Sequence, residues 1–134
     1  MKRYFISILL IFIAFGLQAQ PITVTPALPT DADAVTIVFD ATKASRTDLV
    51  GYTGEVYTHT GVKVEGNTDW QYVIGSWGNN TTQPKLTRTG TNTYQLTISP
   101  SIREFYNVPA DKKITQMCFV FRSADATKQT EDIF

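Results

Sequence analysis

The 134-residue chain carries twelve basic and twelve acidic residues, one histidine and one cysteine, and 43% of it is hydrophobic. A formally neutral chain without a basic run lacks the electrostatic footprint of a nucleic-acid or anionic-membrane binder, so a neutral ligand fits it better. One cysteine excludes an internal disulfide, and one histidine excludes zinc sites built from several histidines.

Met1-Lys2-Arg3 followed by the uncharged run Tyr4 to Gly16 has the positive and apolar regions of a secretory signal. Leu17-Gln18-Ala19 places a small residue at the cleavage point before Gln20. The run is shorter than the roughly 20 apolar residues of a spanning helix, which weighs against an uncleaved anchor. No membrane insertion is therefore expected after cleavage. Residues 1–19 carry two of the twelve basic residues and none of the acidic ones. Setting them aside leaves 115 residues with ten basic against twelve acidic, a formal charge of about −2. That length suits one domain with its own core.

In chain order, Ile22-Thr23-Val24-Thr25 alternates and is ended by Pro26, as an edge strand would be. Val35-Thr36-Ile37-Val38-Phe39 follows a turn-like Pro29 to Asp33 and puts Val35, Ile37 and Phe39 on one face. Gly54 to Gly61 reads as a strand fenced by glycines, with Tyr57 and His59 on one face and Val56 and Thr58 on the other. Trp70 to Ile74 reads as a further strand. Lys85 to Thr89 and Tyr94 to Ile98 form a hairpin through Gly90-Thr91-Asn92-Thr93, with Tyr94, Leu96 and Ile98 inward. Ser101 to Tyr106, after Pro100, spaces Ile102, Phe105 and Tyr106 one turn apart and predicts a short helical crossover. Ile114 to Arg122 is a late strand. About seven short strands with frequent turns predict an all-β, two-sheet immunoglobulin-like sandwich with one short helical crossover. The apolar ending Glu131-Asp132-Ile133-Phe134 falls where such a fold wants a last strand, and reads as truncation before that strand or before following domains.

Chemistry-bearing patterns are sparse. No serine sits in a glycine-flanked nucleophile turn, the carboxylates are scattered, and Gly75-Ser76-Trp77-Gly78 lacks the lysine and spacing of a phosphate loop. No catalytic residue, metal ligand set or cofactor motif is read. Cys118, in the apolar run Met117 to Phe121, reads as a buried structural thiol. The concentration of aromatic and amide residues at Tyr57, His59, Trp70, Trp77, Asn79 and Asn80 is what stands out. Neutral sugars stack their C–H faces on indole or phenol rings while amides take the hydroxyls. Trp70, with Tyr72 and Ile74, fits either the core of a sandwich or a site. Trp77 lies in a glycine- and asparagine-rich loop, which favours exposure.

The order Val35 to Asp40, Gly51 to Gly61, Asp69-Trp70, Trp77 to Asn80, Lys85 to Arg88 and Phe119 to Asp125, with Asp132-Ile133-Phe134, resembles the N-terminal sandwich domains of secreted bacterial alpha-amylase-like proteins. In that family the domain precedes a catalytic barrel and often a C-terminal sorting domain. The resemblance implies a linked catalytic domain beyond residue 134. It also implies export, either released or held at the cell surface of a Gram-negative bacterium. Tyr57-Thr58-His59, a glycine and then a tryptophan is similar to starch-binding modules, in which aromatic residues stack on α-glucan. Those modules end on a tryptophan followed by asparagines, whereas Trp77-Gly78-Asn79-Asn80 comes early in this chain. The expectation is a non-catalytic accessory module for a neutral polysaccharide, an α-glucan such as starch, bound through Tyr57, His59, Trp70, Trp77, Asn79 and Asn80. The alternative is a structural spacer that docks on a neighbouring catalytic domain without a ligand; a small hydrolase comes last.

Overall fold

Alternating β-branched and aromatic residues bury every second side chain of residues 35–40 and 93–98, and the computed structural model, which describes residues 19–134, shows where those faces meet. The reading of a secretory signal falls on residues outside the described part, apart from Ala19 at its end. The strands are β1 (Ile22–Thr25), β2 (Val35–Asp40), β3 (Val56–Val64), β4 (Thr87–Gly90), β5 (Thr93–Ile98) and β6 (Ile114–Ser123), with one helical turn, α1 (Ile102–Phe105), before β6. One antiparallel sheet has the order β1-β2-β5-β4, and the other pairs β3 with β6.

Flanking segments widen the second sheet. Gln71 bridges Val62 and Lys85 bridges Tyr57 on the free edge of β3, while Ile133 bridges Phe119 and Gln129 bridges Arg122 on the free edge of β6. The fold is therefore an all-β sandwich. The four-stranded sheet has the order of one immunoglobulin sheet, and β3, β6 and residues 129–133 stand where the other has its strands.

Val35, Ile37 and Phe39 of β2 and Tyr94, Leu96 and Ile98 of β5 face Val56, Val62, Phe119 and Phe121 across the core. Phe39 stacks on Phe121 with ring centroids 4.2 Å apart. Burying each such ring contributes roughly 1.5–3 kcal/mol, which takes the place of the missing disulfide. Two threonines also point inward. Thr60 donates through Oγ1 to the Cys118 carbonyl at 2.7 Å and lies 2.7 Å from the Tyr106 hydroxyl, so that pair leaves no buried oxygen bare. Tyr106 closes α1, whose cap is Ser101; the Ser101 hydroxyl accepts from the Glu104 amide at 3.1 Å.

Three local expectations are corrected. Trp70 to Ile74 is not a strand, because Tyr72 (φ 51°) and Gly75 (φ 67°) take left-handed backbone and only Gln71 pairs. The first hairpin strand begins at Thr87 and not at Lys85, which makes only an isolated bridge. Gly61, read as a fence, lies inside β3, which runs on to Val64.

Candidate functional site

Residues of β3 and β6 that do not enter the core turn to the outer face of their sheet. The antiparallel register sets Tyr57 opposite Arg122 and His59 opposite Val120. The long connection from β3 to β4 folds back over this face. Gly61 permits that approach, since a Cβ there would lie 2.9 Å from the Gln71 carbonyl oxygen and 2.9 Å from Val73 Cγ2.

The connection brings both tryptophans to the histidine. Trp70 stacks on His59 at 5.5 Å with an interplanar angle of 26°, and Trp77 meets it edge-on at 5.5 Å and 70°. Trp70 belongs to this outer cluster and not to the core between the sheets. Phe134 in turn meets Trp70 edge-on at 6.2 Å. Trp77 stands between Gly75 and Gly78, both left-handed, and remains 45% exposed. An open hollow of about 390 Å³ results, lined by His59, Trp70, Trp77, Val120, Gln129 and Asp132.

Beside the hollow lies Arg122, fully buried although it sits on the outer face. Its Nε donates to Gln83 Oε1 at 2.7 Å, and its Nη1 donates to Asn80 Oδ1 at 2.8 Å and to the Ser123 carbonyl at 3.0 Å. None of the ion pairs among the described residues includes it, and its Nη2 is buried without a partner. Aromatic faces stand in for an anion: the guanidinium carbon is 5.2 Å from the Tyr57 ring centroid and 5.9 Å from that of Trp77. Burial pushes the guanidinium below its ordinary range. Burial, then the charge of Arg122, also lowers the proton affinity of His59, against a smaller opposing pull from Asp132.

Of the six residues expected to bind ligand, the structure gathers His59, Trp70 and Trp77 around the hollow. The other three are occupied inside the protein. Tyr57 is buried under Arg122, and its hydroxyl donates to Glu55 at 3.0 Å. Asn79 Oδ1 accepts from the Thr81 amide and hydroxyl, closing its own turn. Asn80 accepts from Arg122 and donates to the Ala124 carbonyl at 3.0 Å. Sequence reasoning passed over Val120, Gln129 and Asp132, and also the buried pair Gln83 and Arg122. Period-two alternation in β6 was a signal for Val120 and Arg122, which it turns away from Phe119 and Phe121; Gln83, Gln129 and Asp132 lie outside that strand and had none.

Among the described residues, no group of three or more histidine, cysteine or acidic side chains is placed to hold a metal ion. No helix among them is long and apolar enough to cross a membrane. The hollow therefore offers indole surface, one imidazole, one carboxylamide and one carboxylate, a set suited to holding a ligand by stacking and hydrogen bonds. No curated protein matches the chain. A family model matches residues 22–130, from the first residue of β1 to the segment paired on the edge of β6, and the chain belongs to that family, described as Domain of unknown function (DUF8578).

Proposed function

We propose that this sandwich is a non-catalytic carbohydrate-binding module for a neutral polysaccharide, an α-glucan such as starch, serving a linked polysaccharide-degrading domain after export. The observation that carries the reading is the half-exposed Trp77 indole at the mouth of a hollow whose other walls are Trp70, His59, Val120, Gln129 and Asp132. An exposed aromatic platform beside amide and carboxylate groups is what a pyranose ring needs, one face apolar and the rim hydroxylated. A dissociation constant on the order of 100 μM needs about 5.5 kcal/mol, of which one stack supplies about 1 kcal/mol, so the hydrogen bonds of the hollow must add to it, and retention gains from a linked partner or a repeated ligand.

Affinity electrophoresis in gels with and without soluble starch tests the reading, with Trp77→Ala alongside. Retardation of the native protein that disappears in the variant, at an unchanged melting temperature, supports it. Failure of soluble starch to retard the native protein overturns it. A docking role is the second reading, favoured by a different face. Leu28 is 94% exposed near an apolar hollow between the edge strand β1 and Met117, Phe119 and Phe134.

A further inference from the structure

Gln83 is only 4% exposed and links Arg122 and His59, two polar residues of the outer face. Its Oε1 accepts from Arg122 Nε at 2.7 Å, and its Nε2 lies 2.8 Å from His59 Nδ1. A guanidinium can only donate, so the amide oxygen has to face Arg122 and the NH2 has to face His59. An amide NH2 can also only donate, so His59 Nδ1 accepts through its lone pair. The proton of the neutral ring is then on Nε2. That nitrogen makes no hydrogen bond among the described residues and is not one of their buried, unpartnered atoms. His59 lines the hollow together with Asp132.

We infer that Arg122 and Gln83 are positioning residues that lock His59 as an Nε2–H donor, and that the hollow between His59 and Asp132 seats a ligand hydroxyl. That hydroxyl accepts from Nε2 and donates its own proton to the Asp132 carboxylate. Both halves are needed, so the seat selects a group that is donor and acceptor at once. A ligand carboxylate would meet the charge of Asp132, an ammonium would meet the Nε2–H, and an ether at this position has no proton for Asp132. The buried cation strengthens the lock: rotating the Gln83 amide would aim its NH2 at a guanidinium and leave Nδ1 facing an oxygen. Burial of the ring and the nearby charge of Arg122 disfavour imidazolium, in keeping with the lock, and Asp132 is the acidic group acting in the other direction. The identity of the ligand rests on the carbohydrate reading; the tautomer does not.

His59 is the sole histidine, so its ring nitrogens can be read by NMR in untagged, 15N-labelled protein without ambiguity. The expected wild-type spectrum at neutral pH shows a protonated Nε2 and a bare Nδ1, with titration below 6.5. Gln83→Glu should reverse this, because a carboxylate pairs with Arg122 and accepts from a protonated Nδ1, raising the proton affinity of the ring about tenfold or more. A protonated Nδ1 in the neutral wild-type ring overturns the lock. So does a folded Gln83→Glu variant with unchanged His59 titration. If that variant does not fold, the wild-type spectrum decides alone.

Maltoheptaose is the probe for the ligand half. The expected result is a displaced Nε2 signal in the native protein and none in Asp132→Ala. Retardation in starch gels with Nε2 undisturbed overturns the hydroxyl seat but leaves the carbohydrate reading standing. Neither retardation nor displacement, with the tautomer as stated, overturns the carbohydrate reading and the seat with it, and leaves Arg122 and Gln83 as the lock on His59.

Discussion

Replacing Gln83 by leucine keeps the volume of the side chain and removes both of its polar atoms, so Arg122 Nε and His59 Nδ1 lose their partner together. Arg122 is fully buried, without a carboxylate partner among the described residues and with Nη2 already bare, and the other acceptors it reaches, Asn80 Oδ1 and the Ser123 carbonyl, are taken by Nη1, so its Nε relies on Gln83. A hydrogen bond to a buried charged group is worth about 1.5–3 kcal/mol and one to a neutral ring about 1 kcal/mol. The expected loss is about 3 kcal/mol, or roughly 12 °C in melting temperature for a domain of this size. Arg122→Met should cost less, about 1–2 kcal/mol. It bares Gln83 Oε1 but also removes a cation held out of water without an anion. The double variant should then be more stable than the sum of the singles by about 2 kcal/mol. Urea unfolding of the four proteins at neutral pH measures this, with equal slopes as the check that only stability changed. Additive losses, or an Arg122→Met variant weaker than Gln83→Leu, would refute the claim that Gln83 chiefly serves the buried guanidinium.

Gly61→Ala should push the segment carrying Trp70 off the sheet, since the new methyl meets the Gln71 carbonyl at 2.9 Å. The cost is about 1–3 kcal/mol, and starch retardation and urea midpoint should fall together, whereas Trp77→Ala loses retardation alone. The Cys118 thiol is buried, and burial pushes its pKa up to about 11. It should react with a disulfide reagent at pH 8 only along the urea unfolding curve, and reaction in the native protein would contradict its placement. Asp125 Oδ1 accepts from the Ser123 hydroxyl at 2.7 Å and from the Thr127 amide and hydroxyl, which lower its pKa from 3.8 to about 2. A depressed carboxyl stabilises the turn fully above about pH 4, and that contribution is lost as pH falls towards 2. The Thr127 amide resonance should follow a titration with a midpoint of about 2 that is missing in Asp125→Asn. A midpoint near 3.8 would show that the turn does not hold the carboxylate.

Period two was enough to place β2 and β5 and their buried faces, because Val35, Ile37, Phe39, Tyr94, Leu96 and Ile98 alternate without interruption. The one-turn spacing of Ile102, Phe105 and Tyr106 after Pro100 was enough for α1. Trp70 to Ile74 misled because aromatic and β-branched residues favour extended chain, while the left-handed backbone at Tyr72 follows from docking over Gly61, a contact with no local signal. The three ring residues of the site were legible by type. Their polar neighbours were not. His59 faces Val120 and Tyr57 faces Arg122 across about sixty residues of chain, and only the register of β3 on β6 decides that pairing. Once it is set, the alternation that sends Phe119 and Phe121 into the core sends Cys118, Val120 and Arg122 outward. An outer face of this kind is ordinarily left to water. Here the β3 to β4 connection covers it, so a cation is buried against two aromatic rings and the amide that satisfies it also fixes the proton of the only histidine. The hollow and its donor are thus consequences of one loop crossing one sheet at a glycine.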